Sequence, residues 1–280
     1  MDETFGFHHG SEDREAGKKA WVGSHHWMTL FHSYNDNNAV SELTFFVYGW
    51  VMKANNDTVA LITGGNRGLG LQTARELGAL GIRAILGVRD PEKGAAAVAT
   101  LKNEGFAAEA VQLDVADTTT HAEACGYIEN YHGKLDILIN NAGTWRESIT
   151  SSSHVPNSDR TSTLSMAILR KTFETNFFGT VALTQQLPPL IRKAPAGRIV
   201  NVSSILGSLT LHSDPVSAIY AHKVFAYDAS KTALNAFTVH LAHELRDTPV
   251  KVNSAHPGWV KTEMGGEGAD MDIAENGRTS

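Results

Sequence analysis

Tyr227 and Lys231 stand four positions apart in Tyr227-Asp228-Ala229-Ser230-Lys231. That spacing puts a phenol and an ammonium on one face of a helix. A free phenol has a pKa of about 10, too high for efficient proton exchange near neutrality, and a neighbouring cation lowers it. The pair therefore suits delivery of a proton to an oxygen, or its removal, at a carbonyl or alcohol carbon. Tyr220 is a rival, but Lys223 follows it by only three positions. Far upstream, Thr63-Gly64-Gly65-Asn66-Arg67-Gly68-Leu69-Gly70 reads as a glycine-rich turn between a strand and a helix. Such a turn brings backbone close to a pyrophosphate and aims the helix dipole at it. A dinucleotide seat with a Tyr/Lys pair points to nicotinamide-dependent carbonyl or alcohol chemistry.

The scaffold that must position these residues is legible as an alternation. Strands are predicted at 59–63, 82–88, 108–113, 135–139, 198–202 and 250–255. Helices are predicted over 69–80, from about Pro91, over 119–131, in one long run ending near Lys193, and over 229–246. A polar loop at 147–163 precedes the long run. Proline at the start of the second helix suits a first turn. The strands are apolar throughout, as expected when helices cover both faces of a parallel sheet. The fold class is a doubly wound α/β sheet of Rossmann type in a single domain.

With 280 residues, 42% of them hydrophobic, the chain is long enough for one large core. A net charge of −6 argues against a nucleic-acid surface. The one cysteine, Cys125, excludes an intramolecular disulfide and fits a reducing compartment, so a cytoplasmic location is expected. The apolar stretch at 43–52 falls short of the roughly 20 residues a membrane span needs. Residues 1–51 carry His8, His9, His25, His26 and His32 in no metal-ligand spacing and read as an atypical extension, with the domain beginning at 52.

The second strand ends in Gly87-Val88-Arg89-Asp90, with a guanidinium where an acid commonly grips the adenosine ribose. Arg89, together with Arg67 in the turn, suits a 2′-phosphate and so favours NADP(H). Asp90 is the competing feature, as an acid within reach of a ribose.

These motifs, in this order and over 63–262, resemble those of the short-chain dehydrogenase/reductase family. Asn140-Asn141-Ala142-Gly143 resembles the family element after the fourth strand, which implies cofactor contacts from Asn141, Ala142 and Gly143. Asp114 and Val115 match the adenine site. Asn176, in a long helix where asparagine is a poor former, matches the residue that holds a water in a proton relay. By the same resemblance Ser204 is the catalytic hydroxyl, and Ser203 its neighbour. Tyr227 is then the acid/base, and Lys231 also anchors the nicotinamide ribose. Pro257, Gly258, Val260 and Thr262 match the turn beside the nicotinamide.

The resemblance implies a small carbonyl or alcohol substrate, an aldehyde or ketone in the reductive direction. Trp145, Trp259, Leu206 and Leu211 are candidates for an apolar pocket wall. The stretch from Ser204 to Tyr227 is longer than is usual in the family; residues 211–225 resemble the insertions of its carbonyl reductases, either roofing a pocket or covering a dimer surface. Monomer and homo-oligomer both stay open. The family supplies a further helix and a seventh edge strand after the sixth strand, and here that seventh strand is expected to be missing. The alternative function is a non-catalytic NADP-binding sensor or scaffold.

Overall fold

Six short runs make one parallel sheet, apolar in the middle and more polar at the edge strands than the expected uniform pattern: β1 (Val59–Thr63), β2 (Arg83–Val88), β3 (Ala108–Gln112), β4 (Ile137–Asn140), β5 (Arg198–Val202) and β6 (Lys251–Ala255). The computed structural model describes residues 57–148, 159–269 and 271–273, so the expected extension at 1–51 lies outside the described residues. The strand order is β3-β2-β1-β4-β5-β6, and every pairing is parallel. The direction of winding therefore reverses between β1 and β4, which opens a crevice at their carboxyl ends.

The connecting helices cover both faces. They are α1 (Gly68–Ala79), α2 (Pro91–Asn103), α3 (Thr119–His132), α4 (Met166–Phe173), α5 (Gly179–Gln186), α6 (Pro188–Ile191), α7 (Leu209–Ser213) and α8 (Phe225–Glu244). One core joins Ile62, Leu86 and Ile139 to Leu77 of α1 and Leu101 of α2. The other joins Leu61, Ile85 and Leu138 to Ile128 of α3, Leu183 of α5 and Leu245 just past α8. Alternate residues of each strand thus enter opposite cores, as a pleat with a two-residue period requires.

Three polar residues interrupt the second face at adjacent register. The Asn140 amide donates to Asn201 Oδ1 at 2.8 Å and to Thr184 Oγ1 at 2.9 Å. The Asn201 amide and the Ser254 hydroxyl both donate to Thr238 Oγ1. This buried ladder ties β4, β5 and β6 to α5 and α8, since each polar group buried there needs its partner.

Two helix predictions are corrected. The long run is not continuous: α4 passes into a π-helical turn, Glu174–Phe178, then α5, and breaks again before Pro188. Proline cannot donate the next helical hydrogen bond. At the π turn, a side-chain carbon on Gly179 would sit 1.9 Å from the Val115 carbonyl, so the helix lies against backbone there. The last helix starts at Phe225, earlier than the predicted 229, and Tyr227 therefore lies in its first turn. Among the described residues the sheet has six strands. Beyond β6, Val260 and Met271 make a single parallel bridge.

Candidate active site

The turn after β1 is held by its own neighbours. Thr63 Oγ1 accepts from the main-chain N–H of Asn141 (3.0 Å) and of Ala142 (2.9 Å), while the Asn141 amide donates to the Thr63 carbonyl at 2.8 Å. Gly64 and Gly68 have φ of 65° and 52°, left-handed values that suit glycine. A side chain on Gly70 would lie 2.6 Å from both the Gly64 carbonyl and the Asn141 amide, so close packing excludes one. Across the crevice, Thr262 Cγ2 lies 3.6 Å from where a Gly68 side chain would start.

α1 begins here with no side-chain cap and no acid in its first turn. Its leading N–H groups and positive dipole end are left for an anion. Leu69 lies in the first turn of this helix, and Asn66 is half-buried just before it. Arg67 is exposed and pairs with Glu263 of the loop after β6. Arg89 is exposed immediately past β2. Asp90 is engaged elsewhere, accepting from the N–H groups of Glu92 (3.0 Å) and Lys93 (3.3 Å) as the cap of α2.

After β3, Asp114 is half-buried and accepts from the Ala116 N–H at 3.0 Å. Val115 is buried, and its carbonyl meets the His121 ring at 3.1 Å. Past β6, Pro257, Gly258 and Thr262 are half-buried and Val260 is buried. Thr262 Oγ1 accepts from the Gly265 N–H at 3.0 Å, closing a turn at the mouth of the crevice.

The residues expected to handle the proton converge at the end of β5 and the start of α8. Ser203 turns away and donates to Asn235 Oδ1 at 2.7 Å, leaving Ser204 to hydrogen-bond the Tyr227 phenol. Tyr227 and Lys231 are both buried on one face of α8. Lys231 Nζ donates to the Val202 carbonyl at 2.8 Å and lies 5.6 Å from the Tyr227 ring centroid. Asn176 is fully buried in the π turn. Its amide oxygen accepts from the Thr144 N–H at 2.7 Å, and its amide nitrogen donates to the Thr144 carbonyl (2.9 Å) and Ser230 Oγ (3.0 Å). The side chain thus clamps the loop segment that follows Gly143. Tyr220, by contrast, is exposed, with Lys223 over its ring.

Electrostatics here departs from the sequence expectation. Burial pushes the Tyr227 phenol up to about 12; the Ser204 hydrogen bond opposes this, and the charge of Asp228 adds to it. Desolvation therefore outweighs the lowering expected of the nearby ammonium. Lys231 moves down to about 8, also by burial. Asp228 rises to about 7, first through burial and then, after a lowering by the Val224 N–H, through the charge of Glu147.

The structure also places Trp145, expected at a pocket wall, directly on Tyr227, and brings in Glu147, which sequence reading left out of the site. Trp145 stacks on Tyr227 with ring centroids 4.8 Å apart and planes 24° apart. Glu147 Oε1 accepts from the N–H groups of Ala226 (2.5 Å) and Tyr227 (3.2 Å). The one sequence signal for Glu147 was proximity to Gly143. Leu206 and Leu211 are half-buried on this side, whereas Trp259 is largely exposed, its indole donating to the Gly265 carbonyl.

A doubly wound sheet with an uncapped helix at its switch point, and beside it a Ser/Tyr/Lys group whose tyrosine and lysine are buried, defines a dinucleotide-dependent oxidoreductase class. The family model for short chain dehydrogenases matches residues 58–272, and the chain belongs to that family. A short-chain dehydrogenase of Penicillium roqueforti is 35% identical over 235 residues, covering 81% of this chain and 87% of that protein. Human carbonyl reductase [NADPH] 1 is 29% identical over 258 residues, covering 79% and 88%. Among solved structures, the RhlG/NADP active-site complex of Pseudomonas aeruginosa superposes with a TM-score of 0.62 at 27% identity, covering 74% of each chain. The protein is an oxidoreductase of the short-chain type.

Proposed function

We propose that the protein is an NADP(H)-dependent reductase of an aldehyde or ketone, acting also in the reverse sense on the alcohol. The observation that carries this reading is the meeting of Ser204, Tyr227 and Lys231 at the mouth of the β1/β4 crevice. The site fits a dinucleotide: the close approach at Gly70 and the uncapped start of α1 leave backbone donors for a pyrophosphate. Thr63, Gly64, Asn66, Arg67, Gly68, Leu69 and Gly70 would hold the phosphates. Asp114 and Val115 would meet the adenine. Asn141, Ala142, Gly143, Pro257, Gly258, Val260 and Thr262 would border the nicotinamide end, with Lys231 on its ribose.

When bound, the nicotinamide supplies the hydride. Within the chain, Ser204 orients the substrate oxygen, and Tyr227 gives that oxygen its proton. A phenol pushed up to about 12 stays protonated through the neutral range, so the acid form is in place for reduction. Lys231, as a buried cation beside it, stabilises the phenolate left behind. Asn176 holds Thr144 and thereby the Asn141–Gly143 segment, and we assign the proton relay to its position in the π turn.

Preference for the phosphorylated cofactor rests on the end of β2. Arg89 is free to meet a 2′-phosphate, and Asp90 is occupied in capping α2. The Arg67–Glu263 pair is exposed, and such pairs are worth only about 0–1 kcal/mol, so a phosphate displaces Glu263 readily. The NADPH in the name of the human relative accords with this. A cytoplasmic site accords with Cys125, a thiol that burial pushes up to about 11 and so keeps unreactive. Thermal shift with each cofactor tests the preference, because a ligand that binds the folded state alone stabilises it. NADPH should raise the melting temperature more than NADH, and Arg89→Ala should shrink the difference; a larger shift with NADH would overturn the assignment.

A further inference from the structure

The loop leaving Gly143 touches Tyr227 twice, through Trp145 on its ring and Glu147 on its backbone. The second contact solves a problem that α8 cannot solve locally. A helix leaves its first N–H groups without intrahelical partners, and a polar residue at the cap position ordinarily accepts from them. The cap position of α8 is Val224, which has no acceptor in its side chain. Asp228 Oδ2 accepts from the Val224 N–H at 3.0 Å, and His212 Nε2 lies 3.4 Å from the same oxygen. The N–H groups of Ala226 and Tyr227 are met instead by Glu147, 79 and 80 positions away in the chain.

Glu147 is 5% exposed, and its other oxygen, Oε2, is buried with no hydrogen-bond partner among the described residues, as is Asp228 Oδ1. A carboxylate is costly to hold in such surroundings. The return for that cost is that one side chain fixes the N–H of Tyr227 itself. First turns of helices fray readily, and a phenol acting as an acid has to stay within hydrogen-bond reach of the reacting oxygen.

We propose that Glu147 is a positioning residue for the reaction, its carboxylate serving as a long-range cap that locks the first turn of α8 and so holds the Tyr227 hydroxyl beside Ser204. This rests on the reductase reading above. It also couples the cofactor side to the acid: Asn176 clamps Thr144, and Glu147, three residues further on, clamps Tyr227.

The test compares Glu147→Ala and Glu147→Gln in the full chain, since glutamine keeps an acceptor oxygen and alanine does not. With NADPH and a turned-over carbonyl, Glu147→Ala should lower kcat about 10- to 100-fold, the scale on which misplacement of a catalytic group is felt. KM for both substrates should stay within about threefold, because the loss falls on the reacting geometry rather than on binding. Glu147→Gln should restore kcat to within about threefold of wild type, the acceptor being retained. In parallel, hydrogen exchange at the Ala226 and Tyr227 amides should be at least about tenfold faster in Glu147→Ala and near wild type in Glu147→Gln. Unchanged kcat in Glu147→Ala, or equal losses in both variants, overturns the proposal. Should Glu147→Ala fail to fold, Glu147→Asp takes its place: its shorter reach should lower kcat and speed the same two amides, and wild-type values would overturn the proposal. Absence of turnover in the wild type would sink the reductase reading instead; the exchange rates then decide the capping role alone, and unchanged rates at both amides reject it.

Discussion

Tyr227 and Lys231, the proposed acid and its cation, are buried together, and their protonation follows from that. Tyr227 is held up at about 12 and Lys231 down at about 8, each chiefly by loss of water around its charged form. The proposed reduction needs a protonated phenol and a cationic lysine, so on this reading the group that limits activity at high pH is Lys231. We expect kcat/KM for carbonyl reduction to fall as pH rises through about 8, measured as a pH–rate profile with saturating NADPH. A flat profile to pH 10 would show that the charge on Lys231 is not required. The spacing of Tyr227 and Lys231 was readable because a helix makes neighbours of positions four apart. The direction of the phenol's shift was not, because burial depends on Trp145 and other groups distant in the chain.

Elements carry two features that local sequence does not announce. The π turn at Glu174–Phe178 was visible only as an asparagine in poor helical company, while the close approach of Gly179 to the Val115 backbone beside it involves a residue distant in the chain. The start of α8 was placed late because no Ser, Thr, Asp or Asn stands at its cap; the acceptor comes from Glu147 instead. This helix start also gathers acidity, with Asp228 raised from 3.8 to about 7. A raised acid contributes stability that is complete below its unfolded pKa and is lost as pH climbs through its folded one. Asp228→Asn keeps an acceptor for the Val224 N–H but removes the ionisation. It should therefore stabilise the protein at pH 8 by about 1–3 kcal/mol, below the full value of the shift because the group keeps some solvent. That corresponds to a rise of roughly 3–8 °C in melting temperature, shrinking towards zero at pH 4. A thermal melt at both pH values checks it, and an equal effect at both would contradict the titration.

At the scale of the molecule, the sheet was the most legible part. Apolar runs in alternation with helices pointed to a doubly wound parallel sheet, and the structure gives its order as β3-β2-β1-β4-β5-β6. The glycine turn, the Asn140–Gly143 segment and the turn at Pro257 then fall together at the switch point between β1 and β4. What the order of strands does not encode is how the loop carrying Trp145 and Glu147 folds across to α8; that depends on burial and on hydrogen bonds across the whole chain. The central claim, that this arrangement makes Tyr227 the proton donor, is most directly tested by oxidation of NADPH over a panel of aldehydes and ketones, comparing wild type with Tyr227→Phe. Wild type should turn over at least one carbonyl, and Tyr227→Phe should lose about 10²–10⁴-fold in kcat, the range general acid catalysis contributes, while binding NADPH with unchanged affinity. Turnover that survives in Tyr227→Phe would contradict the claim and remove the phenol from the chemistry.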